Sequence, residues 1–546
     1  MTFPLEQLAK LKVPITHLVT DSRILRRGDT FVACPGEKTD GRQFISDVIE
    51  KGANAVIWES QHFVWNDAWQ VPNVGVADLR HKIGWLADSI YGAPSENLWL
   101  VGITGTNGKT STCHWVAQAL CDNSSKCALI GTLGNGFADK LQASVNTTPD
   151  AVRVHELLSD YLQDGAKAVA MEVSSHALSQ GRVNGVRFDV ALLTNLSRDH
   201  LDYHGDMESY AASKRKLFDW DKLKYAVLNL DDEFGAELAE QLQNGAVEVI
   251  AYGMSDDAVQ HAQQLGIRMV YGHLVEMSGQ GLQLGVHTSW GGEQLNSALI
   301  GRFNAENLLG VLAVLLVSGI GLGDAVRSLS KVQAVAGRMQ RLGTAEQPTV
   351  IVDYAHTPDA LEKVLLALHE TGSGNTEVSK RVSVSGSDIN AREGYENESQ
   401  FTSNLQLGGI NTAGGNLEAS HPPFRRLICV FGCGGDRDKG KRAMMGLVAE
   451  KFSDHCIVTS DNPRSEDPQR IIAEVVSGMT ANKHEVIVDR AIAIERAIAM
   501  ARQRDTVLVA GKGHEDYQEI NGVKHPFSDV TVAQRALQSW REGGLV

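Results

Sequence analysis

Cysteine is scarce in this sequence of 546 residues, which contains only seven. Their number is odd and their positions are scattered, so we do not expect a disulfide framework. Cys429 and Cys433 lie four residues apart, but no second pair of Cys or His residues completes a zinc-binding pattern. The cysteines are therefore interpreted as small buried thiols in a reducing compartment.

Long apolar runs and a secretory signal are also missing. The longest strongly apolar stretch, residues 308–317, is shorter than the ~20 residues that cross a bilayer. No charged segment followed by an apolar one opens the chain. These absences predict a cytoplasmic protein without a membrane span.

Positive charge is in deficit, because 51 Lys and Arg face 66 Asp and Glu, for a formal net charge of −15. General nucleic-acid binding depends on Lys and Arg that neutralise phosphates, so we expect no nucleic-acid partner. A small phosphorylated ligand remains compatible, because it needs only a local site. The hydrophobic content of 43% is ordinary for a globular protein, and the length corresponds to about three or four domains.

Three regions can be distinguished along the chain, with boundaries predicted at 1–97, 98–335 and 336–546. In the second and third regions, short apolar runs alternate with segments of helical length, which indicates βαβ units and a largely parallel sheet. The predicted strands lie at 98–103, 168–171, 190–193 and 226–230 in the second region, and at 350–352, 427–431, 456–458 and 507–510 in the third.

Chemically dense loops follow all four predicted strands of the third region. They comprise residues 353–356, 432–437, 460–464 and 511–515. Ligands bind outside the carboxyl ends of strands in open α/β sheets, so we expect these loops to form one wall of a site.

One stretch, at about 371–420, does not fit this organisation. About half of its residues are Gly, Ser, Asn or Thr, too polar to bury a core. We interpret it as a disordered insertion between a helix that ends near Glu370 and the strand at 427; a small folded insert is the alternative.

A glycine-rich loop, Gly105-Thr-Asn-Gly-Lys-Thr110, joins the first strand of the second region to a helical pattern. Backbone N–H groups at such a junction face an anion, Lys109 would reach the terminal phosphates, and Thr110 would hold Mg²⁺. The spacing departs from the usual phosphate loop, because Ile103 stands where a glycine is expected five residues before Gly108.

This loop resembles the ATP loop of the Mur ligases and of the related folylpolyglutamate synthases, although the latter usually read Gly-Lys-Gly-Ser. Further motifs resemble the Mur ligase branch that adds diaminopimelate. They are Asn146-Thr-Thr-Pro149, Glu172-Val-Ser-Ser-His-Ala-Leu-Ser-Gln180 with Arg182, Thr194-Asn-Leu-Ser-Arg-Asp-His200, Tyr210-x-x-x-Lys214, Asn304-x-x-Asn307 and Asp353-Tyr-Ala-His356.

The resemblance implies a three-domain α/β Mur ligase architecture, with a central P-loop ATPase-like parallel sheet and a C-terminal Rossmann-like domain. It implies an ATP- and Mg²⁺-dependent ligase that adds meso-2,6-diaminopimelate to the D-Glu carboxylate of UDP-MurNAc-L-Ala-D-Glu through an acyl phosphate, in peptidoglycan precursor synthesis. It further implies a monomer.

Catalytic roles carried over by the resemblance fall on Lys109, Glu172, His200 and Lys214, the last as a carbamylated lysine (N6-carboxylysine). Metal ligands would be Thr110, Glu172, His200 and Lys214. ATP contacts would be Gly105, Thr106, Asn107, Gly108, Lys109, Thr110, Ser111, Asn304, Asn307, Arg338 and Asp353, with His356 as a further contact. Without the resemblance, Lys214 would be interpreted as an ordinary surface lysine. Asn304 and Asn307 would be interpreted as N-capping residues of a helix ahead of Leu308.

Substrate contacts follow in the same way. The UDP-MurNAc-dipeptide would be held by Ser22, Thr147, Thr148, Ser174, Gln180 and Arg182. Diaminopimelate would be held by Arg437, Asp461, Asn462, Arg464, Gly511 and Glu515. Diaminopimelate carries a distal carboxylate that lysine lacks, and an Arg presents a fork that suits it. Arg464 would supply that fork; the alternative is a surface ion pair with Glu466 or Asp467.

Three other functions are compatible with parts of the pattern. A lysine-adding Mur ligase would lack the counterpart of Arg464, and a folylpolyglutamate synthase would lack the uridine-site motif Thr20-Asp-Ser-Arg23. A regulatory protein that has lost catalysis would have altered Lys109, Glu172, His200 or Lys214, and all four are intact.

Overall fold

The structure is a computed structural model that describes residues 5–36, 39–278, 281–372, 426–481 and 483–540. Each of the three predicted regions builds a sheet of its own. The predicted insertion at about 371–420 lies outside the described residues, except for residues 371 and 372, which belong to the end of the helix before it.

The first domain is a four-stranded parallel sheet in the order β1-β2-β3-β4. Its strands are β1 (Leu18–Val19), β2 (Thr30–Ala33), β3 (Ala55–Glu59) and β4 (Asn73–Val76), with α1 (Ile45–Glu50), α2 (Leu79–Ile90) and 3₁₀ turns at Leu5–Leu11, Gly41–Phe44 and Pro94–Asn97. Strand β2 is buried along its whole length, as expected of a parallel strand covered on both faces.

The central domain is built on an eleven-stranded sheet in the order β15-β14-β13-β12-β11-β10-β5-β9-β6-β7-β8. The strands are β5 (Trp99–Thr104), β6 (Cys127–Gly131), β7 (Gly134–Phe137), β8 (Lys140–Gln142), β9 (Ala168–Glu172), β10 (Val190–Leu193), β11 (Tyr225–Asn229), β12 (Glu248–Gly253), β13 (Arg268–Ser278), β14 (Gly281–Thr288) and β15 (Gly291–Ser297). Its middle is parallel and its two edges are antiparallel.

Helices cover both faces of this sheet. They are α3 (Lys109–Asp122), α4 (Ala151–Gln163), α5 (Ser175–Ser179), α6 (Leu201–His204), α7 (Met207–Arg215), α8 (Glu233–Leu242), α9 (Asp256–Leu265), α10 (Arg302–Val317) and α11 (Leu322–Leu329). The longest apolar stretch of the sequence belongs to α10, which is buried on nearly all sides in the core. Within the described residues, no helix has the length and apolar character needed to cross a membrane.

The third domain has a six-stranded sheet in the order β16-β17-β21-β18-β19-β20. Its elements are β16 (Gln340–Leu342), β17 (Thr349–Asp353), α12 (Pro358–Gly372), β18 (Leu427–Phe431), α13 (Gly440–Phe452), β19 (His455–Val458), α14 (Pro468–Val476), β20 (His484–Val486), α15 (Arg490–Met500), β21 (Thr506–Ala510), the hairpin β22 (Tyr517–Ile520) and β23 (Val523–Pro526), and α16 (Asp529–Ser539).

The four chemically dense loops lie side by side. They follow β17, β21, β18 and β19, which are consecutive neighbours in the sheet and are all parallel. The prediction that they share one edge is therefore confirmed. All eight predicted strands of the second and third regions are present, with ends that differ by at most one residue.

Candidate active site

The phosphate loop lies between β5 and α3 and is shaped by two glycines with positive φ. Gly105 has φ +145° and Gly108 has φ +84°. A Cβ on Gly105 would come within 1.9 Å of Thr194 Oγ1, and one on Gly108 within 2.5 Å of Asn307 Oδ1. These positions therefore leave no room for a side chain, and the N-terminus of α3 is open to an anion.

One cavity joins this loop to residues of two domains. Its lining includes Thr106, Lys109, Thr110, Glu172, His200, Lys214, Asn304 and Asn307 from the central domain, and Arg338, Asp353, Tyr354 and His356 from the third domain. The cavity thus brings together most of the residues to which the sequence assigned ATP and metal roles.

Thr110 and Glu172 form an oxygen-rich corner of this cavity. Thr110 Oγ1 donates to Glu172 Oε2 at 3.0 Å, and Thr132 donates to the same carboxylate through its N–H (2.8 Å) and its hydroxyl (3.1 Å). The described residues contain no group of three or more His, Cys, Asp or Glu able to hold a metal ion. A hydroxyl beside a carboxylate nevertheless fits Mg²⁺, which usually completes its shell with phosphate and water.

Two lysines converge on one carbonyl of the phosphate loop. Lys109 Nζ and Lys214 Nζ each donate to Gly105 O at 2.8 Å. Burial lowers the pKa of Lys109, and burial together with the nearby Lys109 lowers the pKa of Lys214 well below its ordinary value. Lys214 is only 1% exposed, so its interpretation as a surface lysine is wrong. An unmodified amine in this position is not a metal ligand, whereas a carbamate would be an anionic oxygen donor.

His200 lies at the start of α6 with φ +56°, a conformation uncommon outside glycine. Burial lowers the pKa of its imidazole to about 3, against the opposing effect of Asp199, so the ring is neutral and able to donate a lone pair. Asp199 Oδ2 is 3.4 Å from His200 Nε2 and 3.7 Å from His356 Nε2, while Oδ1 is 3.7 Å from Lys441 Nζ. His200, the candidate ligand of a second Mg²⁺, thus lies beside a contact between the central and third domains.

Asn304 and Asn307 lie inside α10 and are almost fully buried. The N-cap of this helix is Gly301, and Asn304 Nδ2 donates to Ile300 O at 2.8 Å. The alternative that these residues cap the helix is therefore wrong. Their side chains border the cavity next to the phosphate loop, where an adenine contact is feasible.

The third domain closes the cavity with Arg338 and the loop after β17. Arg338 Nη2 donates to Thr110 Oγ1 at 3.3 Å, and its guanidinium lies 4.1 Å from the centroid of the Tyr354 ring. Asp353 accepts hydrogen bonds from Met339 N and Ala355 N, both at 2.7 Å, and burial raises its pKa. The carboxylate thereby fixes the backbone next to Arg338 and the start of the loop that follows β17.

The residues assigned to UDP-MurNAc-dipeptide are more dispersed. Thr147 and Ser174 line the cavity. Thr148 is fully buried and donates to Glu172 O at 2.7 Å, and Arg182 donates to Thr148 O at 2.9 Å and to Gln180 Oε1 at 2.7 Å. These three thus hold the wall in shape. Ser22 lies in the first domain, where its carbonyl accepts a hydrogen bond from Lys51 Nζ at 2.7 Å.

The candidate diaminopimelate residues lie on three third-domain loops, at 432–437, 460–464 and 511–515. Asn462 Nδ2 donates to Glu515 Oε2 at 2.8 Å. Lys512, which sequence reasoning missed, is fully buried and donates to Asn462 Oδ1 and to Glu515 Oε2, both at 2.9 Å. A Cβ on Gly511 would lie 2.7 Å from Asp461 Oδ2, so the loops touch there. The sequence signal that could have identified Lys512 was its position between Gly511 and Glu515, two residues already assigned to this site.

Arg464 reaches across to the loop that carries Arg437. Its Nη1 donates to Gly435 O at 2.7 Å, and its Nε lies 3.4 Å from Glu519 Oε2. The alternative of a surface ion pair with Glu466 or Asp467 is wrong, because Glu466 binds Arg442 and Asp467 caps α14. Arg437 itself is exposed at the edge of its loop.

Together, the fold and the cavity define a three-domain α/β enzyme built around a phosphate-binding loop that is closed by its third domain. Three sequence models match the chain in the same order. They are the Mur ligase family, catalytic domain (residues 14–91), the Mur ligase middle domain (103–315), and the Mur ligase, glutamate ligase domain (337–388 and 407–513). The chain belongs to the Mur ligase family, as its motifs predicted.

Relatives resemble the chain along nearly its whole length. UDP-N-acetylmuramoyl-L-alanyl-D-glutamate--2,6-diaminopimelate ligases from Chromobacterium violaceum and Nitrosomonas europaea are 48% and 47% identical. The alignments cover 98% and 97% of this chain and 96% and 94% of those proteins.

Solved structures share the fold. A structure of a ligase of that same name is 33% identical, with a TM-score of 0.62, and the match covers 97% of this chain and 96% of that one. The MurF ligase of Thermotoga maritima, solved in complex with ADP, is 16% identical with a TM-score of 0.57 and supports the fold alone. The predicted three-domain Mur ligase architecture is therefore confirmed.

Proposed function

We propose that this chain is an ATP-dependent ligase that joins meso-2,6-diaminopimelate to the D-Glu carboxylate of UDP-MurNAc-L-Ala-D-Glu, a step in building the peptidoglycan precursor. The observation that carries the proposal is the combination, in one chain, of a phosphate-loop cavity and a separate Arg464 and Glu515 cluster on the same edge of the third-domain sheet. Relatives at 48% and 47% identity are named for this reaction.

The reaction needs an activated carboxylate, because a free carboxylate is a poor electrophile. One oxygen of the D-Glu carboxylate attacks the γ-phosphorus of ATP, the bond to ADP breaks, and an acyl phosphate forms. The amino group of diaminopimelate then attacks the acyl carbon, loses a proton, and expels phosphate with that oxygen attached. The protein contributes mainly by positioning the reactants and by neutralising charge.

The residues of the cavity divide this work. Lys109 and the N-terminus of α3 would hold the terminal phosphates, and Arg338 would approach them from the third domain. Asn304 and Asn307 would contact the adenine. Bound Mg²⁺, held by Thr110 and Glu172 and at a second position by His200 and a carbamylated Lys214, would supply further positive charge.

Selection of the amino acid would fall to the third domain. Arg464, with Arg437 nearby, would bind the distal carboxylate, and Glu515 would pair with the distal ammonium. Asp461, Asn462 and Gly511 would shape the same subsite. Lysine has the distal ammonium without the distal carboxylate, so it would give the Arg464 guanidinium no substrate group to bind. We further propose that the enzyme acts in the cytoplasm as a monomer.

Transfer of an isotope tests the acyl phosphate. UDP-MurNAc-L-Ala-D-Glu labelled with ¹⁸O in the D-Glu carboxylate is incubated with ATP, Mg²⁺ and meso-diaminopimelate, and the released phosphate is examined by mass spectrometry. One labelled oxygen in each phosphate is expected. Unlabelled phosphate released together with a tripeptide product would contradict the proposed mechanism.

A further inference from the structure

We propose that Arg442 and Glu466 are positioning residues that set the separation of the two arginine-bearing loops and so determine how well the enzyme binds the distal carboxylate of its amino-acid substrate. The two loops are the Arg437 loop (residues 432–437) and the Arg464 loop (residues 460–464). The inference rests on the proposed function.

Arg442 lies in the first turn of α13, directly after the Arg437 loop, and is only 1% exposed. Its guanidinium donates to both oxygens of Glu466, from Nη2 to Oε1 at 2.8 Å and from Nη1 to Oε2 at 3.0 Å. Nη1 also donates to Glu474 Oε2 at 2.7 Å, and Nη2 to Gly434 O at 3.2 Å. The side chain of Arg442 therefore links α13 to α14, to the Arg437 loop through Gly434, and to the end of the Arg464 loop through Glu466.

Glu466 follows Arg464 by two residues and faces the other loop. Its Oε1 accepts a hydrogen bond from Asp436 N at 2.6 Å, one residue before Arg437. The hydrogen bonds from Arg442 lower the pKa of Glu466 to about 2, so the carboxylate remains ionised near neutral pH. Ser465 adds a second link, because its N–H donates to Asp436 Oδ2 at 3.1 Å.

The loop backbones are pressed against each other between these links. Gly435 N donates to Asn462 O at 2.9 Å. A Cβ on Gly435 would lie 2.0 Å from Pro463 O, and one on Gly434 would lie 2.9 Å from Arg464 Nη1. Arg464 Nη1 in turn donates to Gly435 O. The position of the Arg464 guanidinium is thus set by the contact between the loops, which the Arg442–Glu466 pair holds in register.

Loosening this pair affects diaminopimelate recognition selectively. Arg442 and Glu466 bind each other through two hydrogen bonds behind the loops, and the substrate carboxylate would be bound by Arg464 and Arg437. The proposed contacts to ATP and the nucleotide sugar lie elsewhere, in the cavity that the central domain shares with Arg338 and Asp353 and in the first domain. A small shift of the two loops should therefore weaken the binding of diaminopimelate and leave the binding of ATP and of the nucleotide sugar unchanged.

The test is Arg442→Lys, which keeps the charge but removes the planar fork. KM values are measured separately for meso-diaminopimelate, ATP and UDP-MurNAc-L-Ala-D-Glu. We expect the KM for diaminopimelate to rise about ten- to a hundredfold, with the other two KM values and kcat within about twofold. Glu466→Gln, which keeps the shape of the side chain, should act in the same direction and carries the test if Arg442→Lys unfolds.

The matched control is Arg426→Lys. Arg426 makes a similar two-point contact with the buried Asp505, from Nε at 3.0 Å and Nη2 at 2.7 Å, at the opposite edge of the same sheet. Its loss should lower thermal stability without changing any KM. Equal rises in all three KM values for Arg442→Lys, or an unchanged KM for diaminopimelate in both variants, would overturn the inference. A wild-type enzyme that uses lysine in place of diaminopimelate would instead contradict the proposed function.

Discussion

At the scale of single residues, the shared carbonyl of Gly105 is the most informative feature. Two buried lysine ammonium groups cannot both remain charged at one acceptor without cost, because like charges in a poorly solvated place repel each other. Burial, and after it the nearby charge of Lys109, lower the pKa of Lys214 well below its usual value. A neutral amine is the form that reacts with CO₂, so the surroundings of Lys214 favour the carbamate that the family resemblance implies.

A carbamate on Lys214 would determine how variants of this residue behave. Lys214→Ala should lose about 10²-fold or more of kcat, because charge stabilisation at the phosphates is lost. Millimolar formate or acetate should restore part of the rate by placing a carboxylate in the space left by the side chain. Lys214→Met, which fills that space, serves as the control and should not respond to either anion. Equal responses of the two variants would contradict a carboxylate role.

At the residue scale, the phosphate loop could be predicted from the sequence because its glycines, Lys109 and Thr110 are contiguous between a strand and a helix. Glu172 and Lys214 were assigned through the family resemblance, because their partners in the fold, Thr110 and the carbonyl of Gly105, lie 62 and 109 positions away. Lys512 and Arg442 were missed, because each acts through partners about 3 to 50 positions away. Buried Lys and Arg are rare without a partner, but the sequence did not reveal which acids they meet.

At the scale of elements, helix α4 joins the first domain to the central one. Its Glu156 accepts from His17 Nε2 at 2.9 Å, while His17 Nδ1 meets Asp29 at 2.9 Å. Its His155 lies 3.5 Å from Asp88 of α2. Burial alone would lower the pKa of His17, but the hydrogen bonds that it donates to Asp29 and Glu156 raise the pKa above the ordinary value.

The raised pKa gives this contact a pH dependence of known sign. Protonated His17 stabilises the folded state below its ordinary pKa, and the stabilisation is lost as pH rises through the raised pKa. His17→Gln should therefore lower the thermal midpoint by about 1–3 °C at pH 5.5 and by less at pH 8.5. A His62→Gln variant, altered at an exposed residue of the same domain, is the control. A larger loss at pH 8.5 than at pH 5.5 would contradict the assignment.

Element positions were predicted well because parallel strands are continuous apolar runs. Element ends were predicted less well, since helix ends depend on tertiary contacts. The asparagines of α10 illustrate this: their capping interpretation failed because the chain enters the helix earlier, at Gly301.

At the scale of the whole molecule, the cavity depends on contacts between the central and third domains. Arg338 reaches Thr110, Asn107 Nδ2 donates to Asp359 Oδ2 at 3.0 Å, and Asp199 faces Lys441. Sequence alone indicated that both domains carry site residues. It did not indicate which surfaces meet, because no periodicity or motif encodes the relative placement of domains.

The interruption of the family match in the third domain leads to a further prediction. Helix α12 starts at the site edge of the third-domain sheet, and its last turn lies away from that edge, where His369 Nε2 donates to Phe452 O at 2.7 Å just before β19. The match to the family is interrupted between residues 388 and 407. Replacing residues 389–406 by a short Gly-Ser link should keep kcat and all KM values within about threefold. A folded variant with kcat reduced more than tenfold would contradict this.

The central claim is most directly tested by amine-dependent phosphate release. Purified protein receives ATP, Mg²⁺ and UDP-MurNAc-L-Ala-D-Glu, with meso-diaminopimelate or L-lysine in parallel reactions. The account predicts rapid release with diaminopimelate and at least about 10²-fold lower kcat/KM with lysine, because lysine lacks the distal carboxylate that Arg464 would bind. Comparable release with lysine would contradict the role of Arg464, and no release with either amine would contradict the proposed function.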